Sequence, residues 1–252
     1  MVSAAYFCQE EEVEPDVTGL ITRRIDDLWA TSPLCASFPD EECRPDLLES
    51  IVSCLVENAQ GMRQAGHNII LPALALKAFK DLPETVTATR VAGICDMIRR
   101  FTVMDVADSP SVKLPDVAHT RAFAEFALAE FVDCTQRFIG RGQGWSGHLL
   151  TYTRALLDLQ DLGYQQIIAA ALEGYETYVR RIRQGPLDGD AERAEHKQAL
   201  SVPTQESYWQ QKSGDWALGH VCKYPYGFYG LMKLADDETL KDRCETVAFR
   251  IF

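Results

Sequence analysis

A Gly-His dipeptide occurs three times in this chain, at Gly66-His67, Gly147-His148 and Gly219-His220, and each copy opens an apolar segment of helical spacing that turns into a second one. The segment GHNIILPALALKAFKDLPETVTATRVAGICDMIRRF lies over GHLLTYTRALLDLQDLGYQQIIAAALEGYETYVRRI without a gap. Both copies close on an aliphatic-Arg-Arg-apolar tetrad, Ile98 to Phe101 and Val179 to Ile182. The third copy needs a short deletion to align Arg250, and it repeats the proline five residues past histidine, Pro225 for Pro72, where the middle copy has Thr153. Self-similarity of this kind marks a supersecondary unit that buries its apolar face only by stacking on neighbours. The unit is a helical hairpin, and the copies span 66–103, 147–183 and 219–252.

Strand signals are scarce, because no β-branched alternation persists and no Asn-Gly turn is present. The expected fold is all-α, a single domain over 1–252. Amphipathic patterns predict helices over Val17–Trp29, Asp46–Met62 with Pro45 at its N1 position, His67–Leu82, Glu84–Val103 and His119–Phe138. Residues 1–15 are an acidic lead-in. Apolar Gly-His helices alternating with Arg-bearing amphipathic ones suit an inner and an outer layer wound into an α/α toroid or partial toroid. The polar passage Arg183–Ser213 interrupts the hairpins, and 184–213 is a candidate lid.

The 252 residues carry a formal net charge of −12, which argues against wrapping a nucleic-acid backbone and leaves a small molecule as the expected partner. The N-terminus has no basic n-region with an apolar core, and no segment has the length of a membrane span, so a soluble cytoplasmic chain without membrane contact is expected. The 8 cysteines include no CxxC pair. Cys54, Cys95 and Cys244 fall inside helix patterns as buried thiols, while Cys35 and Cys43 flank a Pro-Asp loop where a disulfide or metal pair is the minority reading.

Three histidines in register at the starts of inner helices would point toward one axis. A helix N-terminus lowers the pKa of a nearby imidazole and keeps it neutral, able to act as base or ligand. Any one of them could equally cap a helix or pack in a core. His119 and His196 lie outside the repeat. Tyr152 and Tyr224 stand four residues after His148 and His220, on the same helix face, and each could share proton transfer with its imidazole. His67, His148, His220, Tyr152 and Tyr224 are therefore the candidate catalytic residues. Trp145 and Trp216 at the rim, Asp215 beside a helix start, Arg154 and Lys223 within inner helices, and Asn68 next to the first histidine are the candidate substrate-binding residues.

Inner helices that begin with Gly-His in an α/α toroid resemble the layout of N-acylglucosamine 2-epimerase and related sugar isomerases. That resemblance implies histidines around the barrel centre acting as acid and base. The leading expectation is a histidine acid/base isomerase, epimerase or lyase acting on a carbohydrate-like substrate, with no cofactor. Two alternatives are an enzyme holding Zn or Fe on His67, His148 and His220, and a helical-repeat scaffold that binds a partner through an acidic face and catalyses nothing.

Overall fold

The computed structural model describes residues 1–30, 32–33, 37–192, 201–212 and 219–252. Among them are eleven α-helices and no strand. They are α1 Val2–Glu10, α2 Val17–Ile25, α3 Leu48–Asn58, α4 His67–Asp81, α5 Ala88–Arg100, α6 Thr120–Arg137, α7 Gly144–Asp161, α8 Gln165–Gln184, α9 Glu206–Gln211, α10 His220–Leu234 and α11 Glu238–Ala248. No helix among the described residues is long and apolar enough to cross a membrane.

The three Gly-His segments become α4, α7 and α10. The middle one is central: α7 packs against α4, α6, α8 and α10. Its sequence explains this, since Leu149, Leu150, Tyr152, Leu156 and Leu159 go round the helix and all are fully buried. A helix apolar on every face has to be surrounded. The helices that follow α4 and α7 have one apolar stripe instead, while α11, which follows α10, packs against α6. In α8 the stripe is Ile167, Ala171, Tyr175, Tyr178 and Ile182, and in α5 it is Val91, Cys95 and Ile98. Glu173, Arg99 and Arg100 stay on the polar side of these helices.

The acidic lead-in folds differently from its composition. Val2–Glu10 is helical, buries Ala4, Tyr6 and Phe7, and packs against α4 and α10. The glutamates hide this helix in the sequence because they begin where it ends, and Glu10 itself turns inward. Helix ends otherwise fall short of the expected ones: α2 gives way to a π turn at Asp26–Ala30, and Pro45 opens a short 3-10 turn before α3. Within the polar passage the described part is not featureless. Its α9 buries Tyr208 and Trp209, and residues 187–192 strap onto the glycine-rich turn, where Gly142 N–H donates to the Ala191 carbonyl at 2.9 Å. Cys54, Cys95 and Cys244 are buried thiols as expected, and Cys43 is exposed; Cys35 lies outside the described residues.

Candidate functional site

The glycine of the repeated dipeptide does two different jobs. Gly66 and Gly219 sit at φ +87° and +69°, the left-handed region, immediately before α4 and α10. A residue without Cβ turns the chain there at no steric cost. Gly147 is different, because α7 has already begun at Gly144 and Gly147 is helical. A Cβ on it would stand 2.6 Å from the Tyr224 ring, so this glycine lets α10 approach α7. His148 is thus one turn inside its helix rather than at its start, yet its ring arrives at the same place as the other two.

The three imidazoles converge. Ring centroids are 4.7 Å apart for His67 and His148, 4.9 Å for His148 and His220, and 6.5 Å for His67 and His220. Backbone carbonyls orient two of the rings: Nδ1 of His67 lies 2.5 Å from the Gln64 carbonyl, and Nδ1 of His148 lies 2.7 Å from the Gly144 carbonyl. A carbonyl only accepts, so each Nδ1 carries the proton and each Nε2 presents a lone pair. Those two Nε2 atoms face each other at 3.2 Å. Lys223 resolves the repulsion by donating to both, at 2.8 Å to His67 and 3.2 Å to His148.

Lys223 is 3% exposed and, among the described residues, forms no ion pair. Burial without a counter-ion pushes its amine down to about 7. Burial, then the Lys223 charge, holds His67 down at about 4, and the same two causes keep His148 well below the usual imidazole value. Loss of hydration, more than the helix dipole expected from the sequence, keeps these rings neutral.

A hollow of about 220 Å³ opens on His148, His220 and Tyr224, and its wall includes Gln143, Trp145 and Asp190. Gln143 is 4% exposed, and neither its amide nitrogen nor its oxygen has a partner among the described residues. Buried polar atoms are normally paired, so an amide without partners beside a hollow stands out from the rest of the interior. Trp145 donates its indole N–H to Asp190 at 2.8 Å, and Arg181 holds the other oxygen of that carboxylate at 2.6 Å. The described start of the candidate lid therefore forms part of the mouth.

Other expected site residues land elsewhere. Tyr224 serves the neighbouring copy: its hydroxyl is 3.1 Å from Nδ1 of His148, while its ring stacks on His220 at 5.0 Å. Tyr152 does not face an imidazole. Its ring lies under Gly66 and its hydroxyl donates to the Ala171 carbonyl at 3.3 Å, because its helix face meets α8. Arg154 points away from the hollow into a charge cluster, donating to Asp158 at 3.0 Å and Glu10 at 2.8 Å. Asn68 is fully buried and its amide donates to the Asn58 carbonyl at 3.1 Å, which ties α4 to α3. Asp215 and Trp216 lie outside the described residues.

That charge cluster was not foreseen, although the gapless alignment carries its signal. Lys77 and Asp158 both stand ten residues past their histidines, and opposite charges at equivalent positions of stacked repeats can meet. Lys77 donates to Glu10 at 2.6 Å, Tyr226 at 2.8 Å and Asp158 at 3.3 Å. Tyr226 donates to the second Asp158 oxygen at 2.7 Å. Its two cations balance its two carboxylates, and Lys223 forms no ion pair with it; Lys223 and Asp158 lie on the wall of the same gap of about 10 Å³, with Ile70, Leu74 and Ala155.

The three histidines offer ligand atoms within 4.8 Å of one another and could hold a metal ion. Nδ1 atoms backed by carbonyls are how metal-binding imidazoles are oriented. An ion on His67 and His148 would compete with Lys223 for the same lone pairs. No family model, curated protein or solved structure matches the chain.

Proposed function

We propose that this chain is a small-molecule enzyme of the isomerase, epimerase or lyase type, moving a proton at a carbon beside a carbonyl group, with the repeats curled into a partial toroid around the site. The observation that carries this reading is Lys223, buried without a carboxylate among the described residues and bonded to two imidazoles whose Nε2 atoms are unprotonated. A neutral imidazole accepts a proton, and an ammonium beside it supplies one or steadies an enolate; such positioned groups contribute about 10²–10⁴ in rate. Tyr224 on Nδ1 of His148 extends the relay. The open amide of Gln143 and the Trp145 ring on the wall suit a carbohydrate-like, hydroxylated substrate. The likeness to sugar 2-epimerases points the same way.

The runner-up is a three-histidine Zn or Fe enzyme, favoured by the two carbonyl-backed Nδ1 atoms. Aldoses, ketoses and hydroxy ketones incubated with the protein in D2O test the leading reading. Deuterium entering beside the carbonyl, and lost in His148→Ala and Lys223→Met, is the expected result. Undiminished exchange in those variants, or activity that needs one bound transition metal per chain, overturns it.

A further inference from the structure

Lys223 on α10 is buried and Lys77 on α4 is half-buried, and their surroundings separate them. Lys77 has two carboxylates, Glu10 and Asp158, within bonding distance. Lys223, among the described residues, has only imidazole nitrogens. A structural lysine taken out of water needs a counter-charge, because an uncompensated buried ammonium is costly. A lysine held without one is suited to react as the free amine. Its partners are also acceptors, so they leave the nitrogen lone pair available once a proton has gone.

We infer that Lys223 is a nucleophile that forms an imine with an aldehyde or ketone, with His67 and His148 handling the protons. This deepens the proton-transfer reading and rests on it. The Nζ lone pair forms the C–N bond, and the carbonyl π pair moves to oxygen, which takes up one proton passed on from Nζ and a second from an imidazolium or solvent. Loss of that oxygen as water leaves an iminium. The cationic nitrogen then draws electrons from the adjacent C–H bond; the proton passes to an imidazole Nε2 and the pair becomes the enamine C=C bond. Return of the proton and of water restores the amine, so no oxidant or reductant is consumed.

The setting favours each step. Attack by Nζ on the carbonyl carbon draws it off the two Nε2 atoms it had occupied, creating the base at the moment the base is needed. On its other side Lys223 is the one charged side chain, among the described residues, in the wall of a cavity of about 340 Å³ bordered by Val2, Ile25, Leu71, Leu74 and Val221. That wall, largely apolar with the Ser3 hydroxyl among its polar groups, disfavours the ammonium.

Glycolaldehyde, the smallest hydroxylated aldehyde, is the probe. The full chain is treated with it and sodium cyanoborohydride near neutral pH, and lysine modification is mapped by peptide mass. In parallel, deuterium uptake at the glycolaldehyde α-carbon is followed in D2O without the reductant. Lys223 should be alkylated at least about tenfold faster than the exposed Lys80 and Lys113, as expected of an activated amine. Modification at the rate of those two overturns the imine. Exchange without trapping leaves proton transfer standing and removes the imine; trapping without exchange does the reverse; neither removes both. Lys223→Arg keeps the buried cation but cannot form an imine, so it should melt like the parent and lose exchange. A folded Lys223→Arg that still exchanges also sinks the proposal.

Discussion

The Lys223 amine lies 2.8 Å from Nε2 of His67, a contact that joins the third repeat to the first across a site walled by the second. Neither residue has a carboxylate partner among the described residues, so the pair stores an electrostatic cost that the fold does not relieve. Natural sites that carry such a cost do so for function more often than for stability.

Disrupting the buried Lys223 and the half-buried Lys77 cluster should therefore have opposite effects. Lys223→Met deletes an uncompensated charge and is expected to leave stability unchanged or raise it by about 1–3 kcal/mol. Asp158→Asn leaves Lys77 and Arg154 sharing Glu10 alone, at a cost of about 3–5 kcal/mol. Urea midpoints of the two variants decide the matter. Equal destabilisation would mean that Lys223 is a structural residue.

Stability should depend on pH in two windows. His67 is held at about 4 against an ordinary 6.5, so the unfolded chain binds the extra proton between those values. The contribution is complete above pH 6.5 and is lost as the pH falls through 4, amounting to about 3 kcal/mol. Lys223, held at about 7 against 10.5, acts in the same sense higher up: its burden is relieved as the pH rises from 7 toward 10.5. Unfolding free energies measured from pH 4 to 10 should flatten in the lower window for His67→Gln and in the upper one for Lys223→Met.

The two kinds of glycine predict unequal alanine variants. Gly147→Ala places a methyl group 2.6 Å from the Tyr224 ring and should cost about 1–3 kcal/mol while displacing the ring from His148. Gly219→Ala meets no atom of the described residues within 4 Å and pays for its φ of +69°, about 1 kcal/mol. Thermal melts rank the pair, and histidine NMR shifts report whether His148 moved in the first variant alone.

Gln143→Leu tests the hollow. Replacing an amide whose two polar atoms have no partner should leave the fold as stable or slightly more so, since a buried unpaired polar atom costs about 1–3 kcal/mol. Binding of a hydroxylated ligand should weaken about tenfold, the worth of one hydrogen bond to a buried group. A large loss of stability with unchanged binding would place Gln143 in the scaffold instead.

The sequence by itself determined the helical class and the equivalence of three histidines, because periodicity and self-similarity are local properties that survive in one dimension. It also marked Lys223, but only as one charge among several on inner helices. Tertiary structure decided which charges meet. Arg154 and Lys223 look alike in the chain, yet Arg154 finds Glu10 and Asp158 whereas Lys223 finds two imidazoles. Tyr152 and Tyr224 occupy the same repeat position, and only Tyr224 reaches a histidine, because α10 presses against Gly147 while the Tyr152 face meets α8. Spacing along a helix settles the face on which a side chain lies; what that face is packed against depends on contacts between segments far apart in the chain. Counter-charge, burial and the proton affinity they impose on Lys223 and His67 follow from those contacts.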